Sequence, residues 1–168
     1  MKTLLAPLIV AAGVGLALSV VVHLTAVAGI PNPLGGAAWI LHPGIFVVWL
    51  PAVLASRALT RDAKQGDFWR VVLRGCPPWM RYLVYGFFGY AVVNFAMFIL
   101  GLYGDRDDQF VSLRGFSGHW MVFYAAALAM LSSYVRTDTA VRRCVNGHSV
   151  RPTANYCEIC GQPIERHA

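Results

Sequence analysis

Charge is scarce in this chain of 168 residues: Asp, Glu, Lys and Arg together make up 13% of it, about half the share of an average globular protein. That shortage excludes an ordinary soluble domain and a solvated, disordered chain. Cysteine is also scarce, with four in all, which excludes a disulfide-stapled secreted scaffold. Acidic residues number eight against fourteen Lys and Arg, giving a net charge of +6. Several catalytic signatures are missing as well: there is no G-x-S-x-G, no P-loop, no H-E-x-x-H and no carboxylate pair within an apolar run. The few polar groups inside the apolar runs are too sparse for a transporter pathway.

What is abundant is apolar sequence, 57% of the chain. It gathers into four blocks, at about 4–27, 38–55, 82–103 and 116–135, each near the ~20 residues that cross a bilayer. No block holds a charged side chain. The expected fold class is therefore an all-α membrane protein, a four-transmembrane-helix bundle over 1–135 followed by a polar tail at 136–168. Segment 56–81 carries a net charge of +4 and the tail +2, whereas the segment after block one is uncharged and 104–115, with Asp105, Asp107 and Asp108, is net −1. Lys and Arg collect on the cytoplasmic side, so both termini and 56–81 are expected in the cytoplasm, with the chain integral to the cell (inner) membrane. Trp39, Trp79 and Trp120 near block ends fit interfacial indoles. A rival reading starts from Ala26-Val27-Ala28, which resembles a signal-peptide cleavage site. The apolar run before it, however, is longer than a usual signal core.

Within the blocks, Ala11, Gly15 and Ser19 form a small-residue stripe that His23 continues, predicting a face turned to another helix. Pro51 is placed to kink block two, and Asn94 is expected to act as interhelical glue. In segment 56–81, Lys64, Asp67, Arg70 and Arg74 share one helical face, and Phe68, Trp69, Val72 and Leu73 another. That pattern predicts a short amphipathic helix on the inner leaflet, its Lys64, Arg70 and Arg74 toward anionic headgroups and Trp69 in the interface. Cys76-Pro77-Pro78 ends it, and Cys76 is expected to be an unpaired cytosolic thiol.

The strongest chemical pattern is Cys144-x3-His148 followed by Cys157-x2-Cys160-Gly161. Thiolate and imidazole are the ligands zinc prefers, and four of them close a tetrahedral structural site. Gly147 and Gly161 sit beside ligands, where a tight turn needs positive φ. With Asn146-Gly147-His148 at one knuckle and Tyr156-Cys157-Glu158-Ile159-Cys160-Gly161 at the other, 144–161 resembles the small zinc-ribbon domains of bacterial proteins. The resemblance implies Cys144, His148, Cys157 and Cys160 as ligands of a structural Zn²⁺. It also implies two knuckles with a small hairpin and a role in docking a cytosolic protein. Five tail arginines offset by three acids leave no strong phosphate-binding footprint, so nucleic acid is not the expected partner.

The alternating topology also brings His23, His42 and His119 to one depth near the outer face, on three different helices. Histidines on helices one, two and four resemble the haem ligands of small four-helix b-type cytochromes. That resemblance implies a haem, or a second metal, and a redox role. This chain has no histidine at the cytoplasmic ends for the second haem those proteins commonly bind. The same three residues also read as interfacial anchors or as a proton-linked group. Thiol-oxidising chemistry of the quinone-reductase type needs outer cysteine pairs, and all four cysteines are expected inside. The leading expectation is thus a membrane-anchored zinc-ribbon adaptor, and the alternative a small membrane redox or metal protein.

Overall fold

The computed structural model describes residues 2–60, 64–105, 107–139, 142–150 and 154–164. Arg61, Asp62, Arg106, Arg151, Glu165 and Arg166, which entered the charge reading, lie outside them. The chain runs through α1 (Lys2–Ala28), a 3-10 turn (Gly35–Ile40), α2 (Leu41–Thr60), a second 3-10 turn (Gln65–Asp67), α3 (Phe68–Val72), α4 (Pro78–Ile99) and α5 (Gln109–Thr139). Two short strands follow, β1 (Arg142–Arg143) and β2 (Ser149–Val150).

Three segments are long and apolar enough to cross a membrane: Leu5–Ala28, Gly35–Arg57 and Pro78–Ile99. The fourth expected block falls inside α5, which extends beyond it at both ends. α5 is the hub of the bundle: α1, α2 and α4 each pack along it, and α1 also touches α2. This position explains its composition. Among the described residues, every large apolar side chain left exposed in a long helix belongs to α1, α2 or α4, and none to α5. A helix faced by protein on most sides has no need of a lipid-facing apolar surface. α5 instead carries the buried Ser117, Ser133, Ala125, Ala127 and Ala129, small residues that let backbones approach.

The small-residue stripe of α1 is the seam. Gly15, Ser19 and His23 are buried, with Ala12 rather than Ala11 completing the line. The Tyr124 ring of α5 fills the space a Gly15 side chain would need. The Tyr124 hydroxyl donates to Leu41 O at 2.9 Å, and it lies 2.6 Å from where a Cβ on Gly44 would stand. One tyrosine thereby locks α1 and α2 onto α5. Asn94 behaves as expected glue: its Nδ2 donates to the carbonyls of Arg114 (2.9 Å) and Gly115 (3.2 Å), and its Oδ1 accepts from Tyr103.

α4 begins four residues earlier than block three, because Pro77-Pro78 supplies a pre-set φ at the helix start. It ends at Gly101, whose φ of 71° allows Leu102 N–H to reach back to Met97 O at 3.0 Å. The helix expected over 56–81 is reduced to α3, five residues long. Lys64 lies before it and Arg74 after it, so the four expected leaflet residues do not share one continuous helix. Its apolar face also divides: Val72 and Leu73 are buried in the bundle core, whereas Trp69 stays 42% exposed. Next to them, Gly75 N–H donates to Ser133 Oγ and the Cys76 thiol donates to Ala129 O, both at 3.0 Å. The loop is stapled onto α5. Burial pushes the Cys76 thiol above its ordinary range, so it is an inert structural thiol.

Candidate metal centre

The tail builds its site from two turns. In the first, β1 pairs antiparallel with β2, Arg142 opposite Val150 and Arg143 opposite Ser149, and the connecting turn holds Cys144 and His148. Cys144 N–H donates to His148 O at 3.0 Å, and Gly147 N–H to Cys144 O at 2.8 Å. In the second, Tyr156 bridges Pro163, Cys157 N–H donates to Gln162 O at 2.8 Å and Gly161 N–H to Cys157 O at 2.8 Å. Each turn closes through a glycine at positive φ, 78° at Gly147 and 71° at Gly161. A side chain at either position is strained.

These turns bring Cys144, His148, Cys157 and Cys160 together, with their donor atoms all within 4.8 Å of one another. Cys144 Sγ is 3.7 Å from Cys160 Sγ and 3.5 Å from His148 Nδ1, and Cys157 Sγ is 3.7 Å from the same nitrogen. All are free thiols, and 3.7 Å is far beyond a disulfide bond. A tetrahedral ion of zinc's size, ~2.3 Å from sulfur and ~2.0 Å from nitrogen, sets sulfur–sulfur edges near ~3.8 Å and sulfur–nitrogen edges near ~3.6 Å. These three separations lie close to those edges. Nδ1, not Nε2, is the imidazole atom turned to the site.

The local electrostatics favour thiolates at the second turn. The Gln162 amide holds the Cys160 thiol below its ordinary range. Burial opposes ionisation of Cys157, but the Cys160 and Ile159 amides outweigh it and the net direction is down. At Cys144 burial wins and the thiol is raised. A cation among the four donors offsets that penalty. Among the described residues the apolar core of this unit is small. Its buried core is Cys144, Val150 and Cys157, flanked by Ala154, Cys160 and Ile164.

The three histidines do gather at one end of the bundle, but not around a common point. His23 is buried, with Nδ1 paired to Ser117 Oγ at 2.7 Å and Nε2 to the Tyr90 hydroxyl. His42 Nδ1 accepts from Trp120 Nε1 at 3.0 Å. His119 stands edge-on to Phe95 of α4, ring centroids 4.2 Å apart. Among the described residues, the four tail ligands are the group of His, Cys and acidic side chains close enough to share an ion, and none of these histidines belongs to it. Sequence reasoning missed the partners Ser117 and Tyr90. They sit on two other helices, and their only signal was the small-residue line ending at His23.

Compared with family models, with curated proteins and with solved structures, the chain matches none of them.

Proposed function

We propose that this chain is a four-helix integral membrane protein that holds a structural zinc ribbon in the cytosol as a docking module for a protein partner. The observation that carries the reading is the Cys144, His148, Cys157, Cys160 set, its donor atoms all within 4.8 Å of one another and three of its separations at 3.5–3.7 Å. Three thiolates and an imidazole suit zinc. With four protein ligands no position remains for a reacting water, so the ion's role is to fold the tail.

Membrane crossing by α1, α2 and α4 is supported by their length and apolarity. α5 packs along all three, which argues that it crosses with them. Exposed Lys64, Arg70 and Arg74 follow α2, at the same end as the tail. Asp105, Asp107 and Asp108 follow α4 at the other end. On the positive-inside rule the ribbon then lies in the cytosol. A docking role is supported by three apolar side chains left in solvent on so small a unit: Val145 is 86% exposed, Ile159 70% and Tyr156 65%. Large apolar side chains exposed on a unit this small are interface material. A haem or second metal on His23, His42 and His119 lacks this support, since His23 has spent both nitrogens.

The test uses the full-length protein in its own membrane, with a photo-crosslinking residue at Ile159. The reading expects one discrete adduct, formed from the cytosolic side and lost in Cys157→Ser. No adduct, or the same adduct in Cys157→Ser, overturns it.

A further inference from the structure

One face of α4 is lined by open grooves over most of its length. Arg81, Tyr85, Phe88, Val92, Phe95 and Ile99 recur at steps of three and four, and all line open grooves. Three grooves meet along this face. The lowest is lined by Trp69, Arg70, Leu73, Arg81 and Tyr82. It shares Trp69 and Tyr85 with a middle groove of about 350 Å³ between α2 and α4, floored by Val122, Phe123 and Ala126 of α5. That groove shares Phe88, Val122 and Phe123 with an upper one that reaches His119.

The chemistry changes sharply along this path. The middle groove is walled by aromatic and aliphatic side chains. Its mouth carries two guanidinium groups beside Trp69, Tyr82 and Tyr85. Arg81 is held in place because its Nη2 donates to Arg74 O at 2.9 Å, while its Nε is shielded and has no hydrogen-bond partner. Arg70 has a weak claim on it from Asp67, 4.0 Å away in an exposed pair. Such a pair holds little, so Arg70 is available. The seven residues from Arg81 to Phe88 rise roughly 10 Å along the helix. That falls within the ~15 Å depth of one leaflet, so a lipid with its headgroup at Arg81 has its chain beside Phe88.

We propose that this groove is a binding site for an anionic phospholipid of the basic-end leaflet. The phosphate is held between Arg70 and Arg81 against Trp69, and one acyl chain lies over Val122 and Phe123 between α2 and α4. The charge of the mouth selects the headgroup, and the apolar walls take the chain. This rests on the membrane-spanning reading above but not on the ribbon or its partner.

The test is binding of phospholipid to the full-length protein in vesicles. Quenching of Trp49 and Trp69 by dibrominated phosphatidylglycerol is compared with quenching by dibrominated phosphatidylcholine. Resistance to carbonate extraction checks, separately, that the chain is integral to the membrane. The expected result is a preference for the anionic lipid of about fivefold per arginine. That preference collapses toward unity in Arg70→Gln/Arg81→Gln and survives in Arg70→Lys/Arg81→Lys. Val122→Phe, which fills the groove, should weaken both lipids alike. An integral protein with equal affinity for the two lipids, or an unchanged preference in the glutamine variant, overturns the site. So does saturation by inorganic phosphate, which would mark an anion site without a chain. A crosslinked dimer through Phe88 in place of lipid quenching also overturns it.

Discussion

Gly15 offers the sharpest test of the bundle, because local propensity and packing predict opposite signs for one methyl group. In an isolated helix, Gly→Ala stabilises by about 1 kcal/mol. Here a Cβ at Gly15 enters the Tyr124 ring. The ring has no retreat, since its hydroxyl is bonded to Leu41 O at 2.9 Å and the Gly44 backbone lies close behind it. Overpacking a site that cannot relax costs about 1–3 kcal/mol. If Tyr124 swings away, the buried Leu41 carbonyl loses its partner at a further ~1–3 kcal/mol. The net expectation for Gly15→Ala is destabilisation by about 1–5 kcal/mol after the helix gain is subtracted. Unfolding of the detergent-solubilised protein in a graded SDS titration measures it. A double-mutant cycle with Tyr124→Ala assigns the cause: in that background Gly15→Ala should be neutral or stabilising. A stabilising Gly15→Ala in the wild-type background, or the same loss with and without Tyr124, refutes the seam.

Other consequences follow from the same contacts. His23→Leu removes two side-chain hydrogen bonds and should destabilise the bundle by about 1–2 kcal/mol, with no change in metal content. A loss of iron or of a second metal in that variant would instead revive the histidine site. Gly161→Ala forces a side chain into φ 71°, costing roughly 1–2 kcal/mol. Zinc affinity, measured by chelator competition, should fall about tenfold. Because ligands bind deprotonated, zinc loading releases protons, and affinity must weaken as pH falls below the thiol range. A chelator titration should show about a hundredfold or greater loss from pH 7.5 to 5.5, and a flat profile would exclude thiolate ligation.

The sequence carried the parts of this structure that depend on composition and short spacing. Apolar blocks marked α1, α2 and α4 to within a few residues, and C-x3-H with C-x2-C marked four donors that the turns do bring together. What it hid depends on neighbours. Hydropathy treats each helix alone, so it could not show that α5 is enclosed by the other three or that it continues past both ends of its apolar stretch. The loop between α2 and α4 has helical periodicity, but Val72 and Leu73 are drawn into the core and leave a five-residue helix. The histidines share a depth because the topology alternates. Their rotation about each helix axis, which separates His119 from His23, is set by packing against Phe95 and Ser117. Gly15 was visible as part of a small-residue stripe, yet the tyrosine it accommodates lies 109 residues away.

The central claim is that Cys144, His148, Cys157 and Cys160 hold one structural zinc. Its most direct test is elemental analysis of the full-length, detergent-purified protein for zinc, iron and copper, beside Cys157→Ser. The account predicts about one zinc per chain, no stoichiometric iron or copper, and zinc affinity in Cys157→Ser weaker by at least about two orders of magnitude, since one of four ligands of a ~10–16 kcal/mol site is gone. A folded tail that binds no zinc when the ion is supplied, or undiminished zinc in Cys157→Ser, would contradict it.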